Sequence, residues 1–298
     1  MPVNSEHNAE RRFSRQDAEA LRGAVAILEY SGLTARIANF VGAPIEKVLA
    51  ALPKSANGLI VAATEGALRK TLDIALLTIK NGPHAASQRL HKMMAAISGA
   101  AGGAAGLAGL TIELPVTTTI MFRSIADIAR AEGEDIRNPA TCLACMEVFA
   151  LGGKLDRDDA AETTYFATRL AMSHAVREAS KYMSRGALSI EAPLLIKLIM
   201  EISSRFGIVV TWKAAAQILP VVGAIGGAAI NTLFIDHFQS MAMGHFTVRR
   251  LERKYGTPMI RDAYETLQAG NVIILEDGEC INAGPIEVVE ESDGEAES

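Results

Sequence analysis

Apolar residues recur at three- and four-residue spacing along most of this chain, a period that predicts helices almost throughout. The first covers about Ser14 to Asn39, with Leu21, Val25, Leu28 and Ile37 among its apolar positions, and Ser14 with Asp17 forms its N-terminal cap. A short helix follows Pro44 and ends before Pro53, and a longer one covers roughly Asn57 to Lys80, where Asn81-Gly82-Pro83 stops it. The next starts near Ser87 and ends at Glu113-Leu114, because Pro115 disfavours the helical conformation in the residue before it. Pro115 then suits the first turn of a helix carrying Met121, Phe122, Ile125 and Ile128 on one side. Asn138-Pro139 restarts the chain as a helix to about Leu151, closed by Gly152-Gly153; Asp156 with Asp159 caps a long helix to about Ser184, and Pro193 opens another through Ile202. The run from Phe206 to Trp212 fits a short strand and a buried helical turn equally. A break at Pro220 precedes one helix running through His237 and His245 to about Lys254, then a short helix reaches Leu267 and Asn271 to Leu275 reads as a terminal strand.

Two stretches depart from ordinary amphipathic helices. Gly99-Ala-Ala-Gly-Gly-Ala-Ala105 recurs almost unchanged as Gly223-Ala-Ile-Gly-Gly-Ala-Ala229, inside uncharged runs of 20 residues (Met93 to Ile112) and 22 residues (Ala214 to Ile235). At ~1.5 Å rise per residue, either run is long enough to cross a bilayer. The first is poor in Leu, Ile, Val and Phe, and Gln217, Pro220 and Asn231 interrupt the second, which weighs against permanent spans. A glycine inside a helix costs about 0.5–1 kcal/mol relative to alanine, so several in one helix require compensation by close packing. Gly99, Gly102, Gly103 and Gly106 lie at i, i+3, i+4 and i+7, and Gly223, Gly226 and Gly227 repeat the pattern. Both segments are expected to be flat helical faces that another helix approaches closely.

Composition agrees with a helical reading: 49% of residues are hydrophobic but only 5% aromatic, too few for a β-sandwich, and mean hydropathy is +0.20. The expected fold class is all-α, a single multi-helix domain over residues 13–270 with two Gly/Ala-rich close-packing helices and a short terminal strand. Residues 1–12 read as a loose polar end. The net charge of −5 hides an asymmetry, since residues 276–298 carry nine acidic and no basic side chains and read as a disordered acidic tail. Residues 1–275 then hold 29 basic against 25 acidic side chains. No apolar signal segment opens the sequence, so the expectation is a cytoplasmic protein.

The chain contains no Gly-x-Ser-x-Gly elbow, His-Glu-x-x-His helix or Walker loop; Gly152-Gly153-Lys154 lacks both the leading glycine and the following Ser or Thr. Cys142-Leu-Ala-Cys145 has the spacing of half a zinc or redox site, but no second pair follows it, and the two thiols read as core side chains. Polar residues interrupting apolar surroundings are the candidates for chemistry: Glu113, Asp127, Glu147 and His237 as acid–base groups, with Arg123 the i, i+4 partner of Asp127. His237 and His245 lie about 12 Å apart along a helix, too far for one ion, so neither a metal nor another cofactor is expected. Arg249, Arg250, Arg253 and Lys254 end the last long helix as a basic turn, suited to the helix dipole and to contact with anionic lipid or the acidic tail. The overall charge and the few aromatics argue against nucleic acid.

The motifs Glu113-Leu-Pro-Val-Thr-Thr-Thr119, Arg123-Ser-Ile-Ala-Asp-Ile-Ala-Arg130 and Cys145-Met-Glu-Val-Phe-Ala-Leu-Gly-Gly153 resemble the EcsC family. So do Arg205-Phe-Gly207, Ala215-Ala-Gln217, Pro220-Val-Val-Gly-Ala224, Ile230-Asn231, His237-Phe-Gln239, His245-Phe246 and Arg249-Arg-Leu-Glu-Arg253, and together they cover roughly residues 85–265. The resemblance implies an ABC-transporter association and work at the cytoplasmic face of the inner membrane, but no particular reaction. The expectation is a non-enzymatic accessory or membrane-interacting factor whose partner is an anionic membrane surface or a membrane transport complex. A hydrolase using carboxylates of residues 113–162 with His237 is the alternative. Oligomeric state is left open.

Overall fold

A computed structural model describes residues 13–30, 32–81, 106–151, 165–186, 191–218 and 223–282. Among them the chain forms ten α-helices, one 3-10 turn and a two-stranded hairpin. The helices are α1 (Arg15–Tyr30), α2 (Leu33–Val41), α3 (Ile45–Ala50), α4 (Ala56–Asn81), α5 (Gly106–Ala131), α6 (Pro139–Glu147), α7 (Tyr165–Ser184), α8 (Pro193–Ile218), α9 (Gly223–Tyr255) and α10 (Thr257–Gln268). The 3-10 turn Val148–Ala150 continues α6, and β1 (Val272–Ile274) pairs antiparallel with β2 (Cys280–Asn282). The expected starts near Ser87 and at Asp156, the break at Pro220 and the loose end at 1–12 fall outside the described residues, as does the tail from 283 on.

Local signals explain several boundaries. Ser14 and Asp17 close a reciprocal cap on α1: the serine hydroxyl donates to the Asp17 carboxylate at 2.9 Å and accepts from the Asp17 amide at 3.3 Å. The Asn138 side chain accepts from the Ala140 amide at 2.9 Å, and Pro139 fills the first helical position, where its missing N–H costs nothing. Gly256, at φ 87°, turns the chain sharply from the 33-residue α9 into α10.

Four expectations are corrected. The helix expected over Ser14 to Asn39 is two, because Gly32, at φ −72° and ψ 59°, is non-helical and α2 starts afresh at Leu33. Pro115 neither ends nor begins a helix: α5 runs through it from Gly106 to Ala131. A proline in a helix interior costs about 3 kcal/mol, and packing offsets it here. Leu110, Leu114, Thr117 and Thr118 around it are all buried, and α4 packs extensively against α5. The helix expected to end at Ile202 continues as α8 to Ile218, and the run from Phe206 to Trp212 inside it takes the helical of its two alternatives. The stretch beginning at Glu276 is partly folded, since Asp277 and Glu279 accept from Arg15, and Ile281 pairs with Ile273.

The core lies between α4, α5, α8 and α9. Phe149 on the 3-10 turn, Phe206 on α8 and Phe234 and Phe238 on α9 interlock there, with ring centroids 5.1–6.0 Å apart. Helix α1 packs on α9 at Gly244, where an added Cβ would lie 2.8 Å from Leu28 Cγ. Of the glycines expected to make close contacts, Gly226 and Gly227 are buried and Gly106 and Gly223 begin α5 and α9, which pack together. Gly99, Gly102 and Gly103 lie outside the described residues. The 22-residue uncharged run is divided between the end of α8 and the start of α9. No described helix is long and apolar enough to cross a membrane.

Candidate functional site

Two buried polar centres and an ionic belt contain most of the chemically capable side chains. The first centre joins α5, α8 and α9. Glu113 Oε1 accepts from Lys213 Nζ at 2.6 Å, from the Thr117 hydroxyl at 2.5 Å and from Asn231 Nδ2 at 2.9 Å, while Oε2 has no hydrogen-bond partner. The Glu113 and Lys213 side chains are 2% and 0% exposed, so this pair has left water altogether. The Lys213 ammonium also lies 4.9 Å from the centre of the Phe234 ring. Burial alone would raise the Glu113 carboxyl, but the charge of Lys213 and the three hydrogen bonds outweigh it and hold the carboxyl below its ordinary range. Burial lowers the Lys213 ammonium against the pull of Glu113.

The second centre lies where α6, α7 and α9 meet. Residues Tyr165 and Arg169 occupy one stripe of α7, and His245, Arg249 and Glu252 occupy one stripe of α9, at the i, i+4 and i+7 spacing that faces a neighbour. Arg169 forks onto Glu252 at 3.0 and 3.1 Å and donates to the Tyr165 oxygen at 3.2 Å. The Tyr165 hydroxyl lies 3.0 Å from His245 Nδ1 and shares a hydrogen bond with it, the donor being set by the imidazole tautomer. The buried Nε2 of the same ring has no partner. Burial, reinforced by Arg169 and Arg249, pushes the imidazole well below its ordinary value, so His245 stays neutral. Glu147, the last residue of α6, is buried here. Burial pushes its carboxyl up to about 7, against the lowering effect of Arg169 and Arg249.

The ionic belt consists of the residues expected at the end of α9. Arg249 forks onto Glu134 at 2.8 and 3.4 Å, and Arg253 donates to the same carboxylate. Arg250 donates to Glu132 at 2.8 Å and to Asp17 at 3.1 Å. Lys254 reaches Asp17 at 2.6 Å, and Tyr255 donates to it at 2.8 Å. All four cations are thus engaged by carboxylates of α1 and the α5–α6 connection.

The four acid–base candidates do not gather in one place. Glu113 belongs to the first centre and Glu147 to the second. Asp127 takes a hydrogen bond from Arg130 at 2.9 Å, which corrects the expected partner Arg123: the side chain one turn on reaches it and the exposed Arg123 does not. Burial pushes His237 down to about 3, the nearby Arg36 adds to the effect, and its Nε2 is unpartnered. Cys142 and Cys145 are buried thiols in α6, and burial pushes Cys142 up to about 12. No group of three metal-ligating side chains occurs among the described residues. The residues that sequence reasoning missed are Lys213, Tyr165, Arg169 and Glu252. Lys213 had a usable signal, being the lone charge between Arg205 and Asp236. The others look like ordinary members of polar helix faces.

The arrangement defines an all-α domain in which buried ion pairs tie non-adjacent helices together. The chain belongs to the EcsC protein family, whose model matches residues 28–251. That match begins earlier and ends earlier than the 85–265 expected from motifs; it includes Glu113, Glu147, Lys213 and His245 and stops just before Glu252. No curated protein and no solved structure shows significant similarity.

Proposed function

We propose that the protein is a non-enzymatic accessory factor that works against the cytoplasmic face of the inner membrane, beside a membrane transport complex. The observation that carries this reading is an apolar face on α5. Ile112, the last residue of the uncharged run from Met93, is 76% exposed and Val116, one turn on, 49%. Large aliphatic side chains left in water beside a helix start lose free energy until something covers them. The ionic belt moves the contact away from the basic turn: with Arg249, Arg250, Arg253 and Lys254 already paired, attraction to anionic headgroups is weak and apolar contact dominates. Vesicle flotation of the full chain at low and high salt tests this, with Ile112→Asp/Val116→Asp as the comparison. The wild type should float at both salt concentrations and the variant should not. A wild type that stays wholly soluble in fractionated cells and ignores vesicles would refute the membrane role.

The hydrolase reading rests on Glu147 alone, whose raised pKa suits a general acid. Its other intended members support it poorly. Glu113 is neutralised by Lys213, and the charge acting on His237 comes from Arg36 rather than from a carboxylate.

A further inference from the structure

Helices α5 and α9 run side by side in the same direction. Three contacts climb both together: Asn231 donates to Glu113 at 2.9 Å, Gln239 to Ser124 at 2.7 Å, and Arg250 to Glu132, just past the end of α5, at 2.8 Å. Helix α8 runs the opposite way, with Lys213 against Phe234 and Phe206 against Phe238. The starts of α5 and α9 and the end of α8 therefore share one end of the bundle, and the ionic belt lies about 30 Å further along α9. On α5 from Gly106 to Phe122, on α8 from Phe206 to Ile218 and on α9 from Gly223 to Ile235, the sole charged residues are Glu113 and Lys213. They neutralise each other and are already out of water, so an apolar medium laid over this end adds no desolvation cost for them. The same holds for Gln217 Nε2, a buried donor without a partner. The half-buried hydroxyls of Thr211 and Thr232 donate to the carbonyls of Gly207 and Ala228 on their own helices, at 2.7 and 3.0 Å, and need no water to accept from them. Ile112 and Val116 project from the same end of α5. Exposed charges resume on the flanking helices, at Glu46 and Lys47 of α3 and at Lys70 and Asp73 of α4.

We propose that this charge-free end is a hydrocarbon-facing tip: the bundle meets the bilayer end-on, with the starts of α5 and α9 and the end of α8 among lipid acyl chains and the ionic belt held away in water. This orientation rests on the membrane role proposed above and adds a depth to it. The first charge on α9 is Asp236, paired with Arg36 at 3.6 Å, and it lies about 20 Å from the start of the helix. One leaflet holds roughly 15 Å of hydrocarbon. The tip therefore reaches into the near leaflet and stops where charges begin, in keeping with the absence of any described helix able to cross. Contact with acyl chains is indifferent to headgroup charge, whereas a basic patch would demand anionic lipid. The Glu113–Lys213 pair ties all three helices of the tip together from inside, as ionisable groups at membrane depth do when they face the interior and pair.

Two native probes mark the two ends. Trp212, the single tryptophan, adjoins Lys213 on α8. Cys280, exposed while Cys142 and Cys145 are buried, lies on the hairpin that Phe13 joins to Tyr255 at the far end of α9. The full chain, with a fluorescent dye on Cys280, is bound to vesicles of phosphatidylcholine and phosphatidylglycerol whose acyl chains carry nitroxide quenchers. Trp212 should lose fluorescence relative to unlabelled vesicles, and the Cys280 dye should not. Thr232→Lys, which places a charge on the tip through α9 rather than α5, should weaken vesicle binding by roughly tenfold or more. The quenching pair is read on the wild-type sequence and does not depend on the variant folding. Bound protein quenched equally at both probes, or at neither, would overturn the end-on orientation and leave membrane binding standing, as would a folded Thr232→Lys variant that binds like the wild type. A wild type that binds no vesicle would overturn the orientation and the membrane role together.

Discussion

Replacing Lys213 with methionine removes the counterion of Glu113 while keeping most of the volume beneath Phe234, so the change is mainly electrostatic. In the wild type the Glu113 carboxyl is held below its ordinary range, and its contribution to stability is complete above that range and lost only as pH falls through it. Without Lys213 the sign reverses. The carboxyl, 2% exposed, can then remain buried only as the neutral acid, its pKa rises, and folding must take up a proton. Relative to wild type, Lys213→Met should cost little near pH 4.5 and lose about 1.4 kcal/mol more for each pH unit above it. Near pH 7 the cost should reach about 3–5 kcal/mol, the range for breaking one side of a buried pair. For a chain of this size that lowers the melting temperature by roughly 10 °C. The assay is urea or thermal unfolding of both proteins from pH 4.5 to 7.5, read as the difference between them so that Glu147 and other shared groups cancel. The double variant Lys213→Met/Glu113→Gln should recover most of the loss at neutral pH and show no slope. A loss below about 1 kcal/mol at pH 7, or one that does not vary with pH, would refute the reasoning and mean that water reaches the pair.

Gly244→Ala should destabilise by about 1–3 kcal/mol, because the new Cβ would lie 2.8 Å from Leu28 Cγ on α1; adding Leu28→Ala should make the glycine replacement nearly neutral in a double-mutant cycle read by urea unfolding. Asp17→Asn should cost about 2 kcal/mol at pH 7, a value limited by the half-exposed Lys254 and Arg250 that donate to it. Burial works to raise the Asp17 carboxyl, but hydrogen bonds from Lys254, Tyr255, Ser14 and Arg250 hold it well below the carboxylate range. The stability it supplies is therefore present above about pH 4 and fades in strong acid, where variant and wild type should converge in unfolding experiments.

Much of the helical plan was legible because its causes are local. The Ser14–Asp17 cap, the Asn138-Pro139 start and the long helix through His237 and His245 rest on side chains within a few residues of the backbone they control. Pro115 shows where local reasoning stops: its intrinsic cost was read correctly, but the burial of Leu110, Leu114, Thr117 and Thr118 that outweighs it is a property of the assembled bundle. The candidate site was legible in the same partial way. Glu113 and Glu147 stood out as charges in apolar surroundings, whereas, Thr117 apart, the polar groups that act on them come from residues 22 to 118 positions away.

By itself, then, the amino-acid sequence determined the helical class, most helix starts, the family and the short list of buried charges, since spacing, capping and composition act within a few turns of chain. The tertiary structure alone decided which charges meet. It gave Glu113 a lysine from α8, engaged the basic turn of α9 with Asp17, Glu132 and Glu134, and left Glu147 beside two arginines already taken. Pairing across the bundle depends on distances of a few ångströms between segments far apart in the chain, and a charge buried at such a distance is governed by its neighbours in space and not by those in sequence.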